Sequence, residues 1–186
     1  MRILIGLILI LACSIAAFGQ SSKMKPLAET FSAASLDGTT FDLAQLKGKI
    51  VMITFWTTRC AICVAEIPQL NQLAASYQDK DVVFLGLTTD NEAKVQSFIK
   101  KKPFAFNLLP NSFGILLKYA EKDGNGNINM GYPTHFLINQ KGEIELKTDG
   151  FDKIELLKSN IIRLLQNVQS YALRRDLRPH RNQLLD

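Results

Sequence analysis

Two cysteines three positions apart, Cys60 and Cys63, stand where a strand runs into a helix, and this junction constrains the chain more than any other feature. Upstream, Lys49-Ile50-Val51-Met52-Ile53-Thr54-Phe55 is a β-branched, almost wholly apolar run of strand length. Downstream, Val64, Ile67, Leu70, Leu73 and Ala74 recur at helical spacing. The pair therefore opens a helix. A helix N-terminus presents unpaired N–H groups and partial positive charge, which favour a thiolate over a thiol. In Cys-x-x-Cys pairs one thiol is commonly acidified to a pKa of about 3.5–7.5. Cys60, nearer the helix start, is the expected nucleophile of a redox-active disulfide with Cys63.

The remaining pattern alternates strand and helix. Residues 20–30 read as a linker, and 31–43 contain a turn at Asp37-Gly38 between short strand-like pieces, an expected hairpin ahead of the core. A strand over 50–55, a helix over 60–77, a strand over 82–87 and a helix over 92–101 make two parallel strands with helical crossovers. A short helix is expected over 112–121. Thr134 to Ile138 and Glu143 to Lys147 flank the turn Asn139-Gln140-Lys141-Gly142 as an antiparallel hairpin. Ile154, Leu157, Ile161, Leu164, Leu165 and Val168 place a last helix over one face of the sheet. The fold class is α/β. With 186 residues and 47% hydrophobic content the chain can bury one core. The expected domain is 31–170, followed by a basic tail over 171–186.

The net charge of +5 is partly local, because Arg174, Arg175, Arg178 and Arg181 cluster beside only Asp176. That tail reads as solvated chain, or as a contact for anionic lipid or a partner. No basic stripe is interleaved with aromatics, which argues against nucleic-acid binding. At the other end Arg2 precedes an apolar run from Ile3 to Phe18, and Ala17-Phe18-Gly19 supplies small residues for cleavage before Gln20. Residues 1–19 thus read as a signal peptide. Ile10-Leu11-Ala12-Cys13 offers the alternative of a lipid anchor on Cys13. An uncleaved span is disfavoured, since sixteen apolar positions fall short of the roughly twenty a membrane helix needs. Each reading puts the domain outside the cytoplasm, in a periplasm or on the outer membrane face.

With Cys13 in the leader, Cys60 and Cys63 are the only cysteines of the mature domain, so no structural disulfide accompanies the pair. Structural zinc wants four ligands, and the chain adds only His135 and His180. No metal and no cofactor is expected. Copper delivery by the two thiols with His135 is the non-enzymatic alternative. Asp123-Gly124-Asn125-Gly126-Asn127 opens like a calcium loop but fails at Ile128 and Thr134, which leaves a flexible loop beside the substrate groove. A peroxiredoxin arrangement of Pro-x-x-x-Thr-x-x-Cys fits at Thr57 and Cys60, but Ile53 occupies the proline position.

The segments Leu36-Asp37-Gly38-Thr39-Thr40-Phe41-Asp42-Leu43, Leu46-Lys47-Gly48-Lys49, Phe55-Trp56, Glu66-Ile67-Pro68 and Pro133-Thr134-His135-Phe136-Leu137-Ile138-Asn139, in this order, resemble the exported TlpA/ResA-like thiol–disulfide oxidoreductases. The resemblance covers about 31–165. It implies a thioredoxin fold, a central mixed β-sheet flanked by helices, with an N-terminal β-hairpin extension. It also implies that Pro133 is a cis-proline lying against the cysteines beside an extended substrate peptide, with Tyr132 preceding it. Glu66 matches an acidic residue that could move a proton to or from Cys63 through water; the plain alternative is an exposed helix charge. Trp56 reads either as a wall beside the disulfide on the substrate side or as core packing.

This sequence also departs from the family pattern. Thr54 stands where relatives carry aspartate or asparagine, so Glu66 is expected to work alone. Arg59 replaces a tryptophan, and its charge either lowers the Cys60 pKa beside the substrate or faces solvent. Ala61-Ile62 lacks the proline and histidine often found between such cysteines, which bears on redox direction. The implied partners are protein disulfide or dithiol substrates, apocytochrome c among them, and a membrane thiol electron donor, with the chain a monomer. Reduction of substrates is the favoured direction, with a disulfide-introducing oxidant as the alternative.

Overall fold

The computed structural model describes the backbone of residues 24–176 and the side chains of residues 24–167. The leader over 1–19, Cys13, the cleavage point before Gln20, Arg178, His180 and Arg181 lie outside the described residues, as do the side chains of Val168, Arg174 and Arg175.

In chain order, β1 (Ser32–Ala34) and β2 (Thr40–Asp42) pair antiparallel as the expected hairpin. Its turn needs Gly38, whose φ of 86° lies in the left-handed region open to glycine. A short 3-10 turn, Leu43–Leu46, leads into β3 (Ile50–Trp56). Then come α1 (Ala61–Ala75), β4 (Val82–Thr88), α2 (Glu92–Ile99), β5 (Asn107–Leu109) and α3 (Phe113–Tyr119). The small strands β6 (Glu121–Lys122) and β7 (Ile128–Asn129) precede β8 (Thr134–Ile138), β9 (Ile144–Asp149) and α4 (Ile154–Asp176).

The main sheet has five strands in the order β5-β4-β3-β8-β9. β3 is its centre, parallel to β4 and antiparallel to β8, and every one of its residues is buried. A strand covered on both faces must be apolar throughout, which is why 50–56 shows no alternation in sequence. On one face Ile50, Met52 and Trp56 of β3 and Leu137 of β8 meet Cys63, Ile67, Leu70 and Leu73 of α1 and Leu157, Ile161 and Leu164 of α4. On the other face Val51, Ile53, Phe55, Phe136 and Ile138 meet Phe31, Leu43, Leu116 and Tyr119. Each buried aliphatic or aromatic side chain of this kind contributes about 1.5–3 kcal/mol of transfer free energy. The two layers thus fix the sheet from both sides and hold the end of β3 in one place.

One strand is added and two expectations are corrected. The short parallel strand β5 lies at the sheet edge, between Pro103 and Pro110, in a stretch for which no element was expected. The region read as a linker is not all tether: Ala28 donates to the Gly142 carbonyl, Ile144 donates to that of Pro26, and Lys25 reaches Glu145 at 2.5 Å. Glu145 also pairs with Arg163 of α4, so the N-terminal segment, β9 and the last helix share one carboxylate. Burial pushes that carboxyl up, but Lys25 and Arg163 outweigh it and hold the group below the usual carboxylate range. Finally, the 123–127 stretch is a hairpin tip rather than a loose loop, because the Asp123 carboxylate accepts from the backbone N–H groups of Asn125 and Asn127 at 2.9 and 2.8 Å.

Gly86 on β4 is set by close packing. A Cβ there would lie 2.7 Å from Leu108 Cδ2 and 3.3 Å from Trp56 Nε1. Forcing an extra methyl into such a core costs about 1–3 kcal/mol. Gly86→Ala is therefore expected to lower stability by that amount in urea unfolding followed through Trp56, the single tryptophan of the chain.

Candidate active site

The end of β3 delivers Thr57, Thr58 and Arg59 to the start of α1, and Cys60 is the N-cap residue of that helix. Its Sγ accepts from the Cys63 backbone N–H at 3.2 Å, and its carbonyl accepts from Val64 at 3.0 Å. The sulfur thus takes the place of the hydroxyl or carboxylate oxygen that usually satisfies an orphan N–H at a helix start. Cys60 and Cys63 form a disulfide with Cα atoms 5.3 Å apart. Their exposures differ: Cys60 is half-buried, whereas Cys63 is 2% exposed within the core cluster. Any partner approaching the bond meets the Cys60 sulfur first.

Asp90, at the end of β4, holds the loop that leads to Cys60. Its Oδ2 accepts from the Thr57 hydroxyl at 2.8 Å, the Thr58 N–H at 2.8 Å and the Thr58 hydroxyl at 2.9 Å, while Lys94 donates to Oδ1 at 2.5 Å. Burial pushes this carboxyl up, but the Lys94 ammonium, the Thr58 N–H and the two hydroxyls together hold it far below the usual carboxylate range. Sequence reasoning passed over Asp90, although a carboxylate just after a buried parallel strand, at the sheet edge where the cysteines emerge, was a usable signal.

The Tyr132–Pro133 peptide bond is cis, with Tyr132 half-buried and Pro133 buried. The pairing of Phe55 with Thr134 sets Pro133 opposite the end of β3, beside the cysteine loop. Thr134 steadies this corner, its hydroxyl lying 2.7 Å from the Gly131 carbonyl and 2.6 Å from the Asp149 carboxylate. Gly150 donates to the Pro133 carbonyl at 2.8 Å, so that acceptor is already taken. Tyr132 is half-buried; burial pushes its phenol up and the Asp90 charge adds to this, against a hydrogen bond with the Thr89 side chain. Arg59 is exposed on the cysteine loop. Trp56 does not reach the surface. It is 1% exposed and packs on Phe98 and Phe104 at centroid distances of 5.4 and 5.2 Å, which is the core-packing one of its two readings.

Glu66 differs most from its expectation as an exposed or solitary acid. Three residues past Cys63 on α1, it is 0% exposed, and its Oε2 lies 3.2 Å from His135 Nε2. His135, equally buried, has its Nδ1 2.9 Å from the Thr54 hydroxyl. Neither Glu66 oxygen has an aligned hydrogen-bond partner. Thr54 and His135 face each other across the β3–β8 register, which is how two polar residues in apolar strands meet. His135 is 0% exposed, with Nδ1 on the Thr54 hydroxyl and Nε2 pointing at Glu66 without an aligned bond, so it is not presented at the surface as a copper ligand.

Residues 25–147 match the AhpC/TSA family. The chain belongs to this family. Thiol-disulfide oxidoreductase ResA of Bacillus cereus is 30% identical over 145 residues, covering 76% of this chain and 79% of that one. The structure of a secreted Mycobacterium tuberculosis disulfide oxidoreductase is 28% identical with a TM-score of 0.58, covering 72% of this chain and 96% of that one. A thioredoxin-family thiol:disulfide interchange protein from Chlorobium tepidum superposes with a TM-score of 0.67 at 22% identity, covering 78% and 99% of the two chains, and shows the thioredoxin fold. With its Cys60–Cys63 disulfide, the chain is a thioredoxin-like thiol–disulfide oxidoreductase. The Pro-x-x-x-Thr-x-x-Cys arrangement of peroxiredoxins is not present, since Ile53 is an interior residue of β3.

The Asp90 cradle has a pH signature. Its folded carboxyl titrates below the unfolded value of about 3.9, so the stabilisation is complete above that pH and is lost as pH falls through the folded value. Hydrogen bonds to a charged group contribute about 1.5–3 kcal/mol each. Asp90→Asn should therefore lower the urea midpoint clearly near neutral pH, and the gap from wild type should close on acidification below about pH 4.

Proposed function

We propose that this chain is an exported reductase of protein disulfides, with Cys60 as the attacking nucleophile and Cys63 as the resolving thiol. The observation that carries this reading is the asymmetry of the pair: Cys60 is accessible and caps a helix, whereas Cys63 is buried beneath it. The N–H of Cys63 and the helix N-terminus favour negative charge on Cys60 sulfur once the bond is reduced. Cys60 thiolate attacks a substrate disulfide, one substrate thiolate leaves, and a mixed disulfide forms. Cys63 then attacks the Cys60 sulfur, forming the Cys60–Cys63 bond and releasing the second substrate thiolate.

For that second step Cys63 must lose a proton, and Glu66, one helical turn away, is its acceptor. Pro133 and Tyr132 line the groove for an extended segment of substrate, and Arg59 borders it. Export is supported by the sequence of residues 1–19 and by the secreted relative from Mycobacterium tuberculosis. The reductive direction is what the resemblance of the sequence to the exported TlpA/ResA-like family implies, the matched relative being named an oxidoreductase. In an oxidising compartment such an enzyme needs a membrane thiol donor to recharge it, and apocytochrome c, with thiols that must be reduced before haem attachment, is a fitting client.

The test is cysteine trapping. Cys60→Ser should abolish reduction of a protein disulfide, whereas Cys63→Ser should accumulate a mixed disulfide with its client, recovered from cells under oxidising growth and released by dithiothreitol. Absence of any adduct at Cys60 would overturn the assignment.

A further inference from the structure

We propose that His135, anchored by Thr54, is a positioning residue that supplies compensating positive charge to Glu66 and so makes the Cys63 thiolate accessible. The inference rests on the reading of Glu66 as the proton acceptor of Cys63. Its starting point is an imbalance: a fully buried carboxylate has an imidazole nitrogen 3.2 Å away and no aligned hydrogen bond to either oxygen. Such a group is not left charged inside a core without an opposite charge. His135 is the available one. From β3 the imidazole faces Thr54, from β9 it faces Thr148, and from α1 it faces Glu66, one helical turn past Cys63. The buried positions of α4, Leu157, Ile161 and Leu164, are apolar. Lys147 and Asp149 alternate to the opposite face of β9, Lys147 over the Phe136 ring.

Thr54 matters because a hydroxyl can donate or accept. At 2.9 Å from Nδ1 it serves neutral imidazole as a donor and imidazolium as an acceptor, so the ring keeps one orientation in both states. As imidazolium and carboxylate, the pair has no net charge. When Cys63 gives its proton to Glu66, the new thiolate faces a neutral carboxylic acid and the imidazolium, and the buried group as a whole stays neutral. The Cys63 sulfur then forms its bond to Cys60, the bond from Cys60 to the substrate breaks, the substrate thiolate takes a proton from solvent, and Glu66 returns its proton to solvent. Without His135 the same transfer would leave uncompensated negative charge in the core. A positive charge this close to a titrating group typically shifts it by about 1–3 pH units.

Reaction of the reduced protein with a chromogenic aryl disulfide separates the two steps. The first release of aryl thiolate reports attack by Cys60, and the second reports attack by Cys63 on the mixed disulfide. We expect His135→Gln to leave the pH midpoint of the first phase in place and to move that of the second upward by about one unit or more, slowing it about tenfold near neutrality. Thr54→Val, which keeps the shape and removes only the hydroxyl, should shift the second phase in the same direction by less, and carries the test if His135→Gln does not fold. Glu66→Gln should slow the second phase, and His135→Gln should then add little. An unchanged second-phase profile in folded His135→Gln or in Thr54→Val, with Glu66→Gln still altered, overturns the role of His135 alone. An unchanged profile in Glu66→Gln overturns the acid–base role of Glu66 and this inference with it.

Discussion

The site depends on how β3 hands the chain to α1. β3 is buried on both faces, so its last residue is fixed by the whole core, and Cys60 begins a helix only four positions later. The short connection must therefore place the sulfur against the first free N–H groups of α1, and it does so through the 3.2 Å contact to Cys63 N–H. Asp90 and the corner at Tyr132–Pro133 close in from the two neighbouring strands, β4 and β8. Fold and chemistry are thus joined by topology: the residues that line the disulfide are the ones that follow β3 and β4 and precede β8.

Two buried carboxylates flank the disulfide and are treated in opposite ways. Asp90 accepts from three groups of the cysteine loop and from Lys94, an arrangement that keeps it ionised and makes it a strut. Glu66 has one imidazole nearby and no aligned bond. The donors around Asp90 favour its ionised form, whereas neither oxygen of Glu66 has an aligned donor. The difference in hydrogen bonding separates an acid that holds the backbone from the one proposed above as the proton acceptor of Cys63.

Much of this was legible in the sequence because the signals were local. The cysteine spacing, the apolar run of β3, the Asp37-Gly38 turn and the amphipathic last helix each depend on neighbours within a few residues, and each element appears where its pattern placed it. The edge strand β5 was hidden because three residues between prolines have too few positions to show a period. The Thr54–His135–Glu66 group was hidden for another reason: its members are brought together by a strand register and a helix face separated widely in the chain. A signal existed all the same. Thr54 and His135 are polar residues in otherwise apolar strands, and the antiparallel pairing of those strands would have set them side by side.

The most direct test of the reductase reading is the reduction potential of the Cys60–Cys63 pair in the purified chain from residue 20 onward. Equilibration across thiol redox buffers, with Trp56 fluorescence as the signal and alkylation of free thiols as the check, gives it in one titration. A value near or below about −270 mV, the range of thioredoxin, is the result expected of a reductase supplied by a membrane donor. A value approaching about −120 mV would mark an enzyme that introduces disulfides and would contradict it.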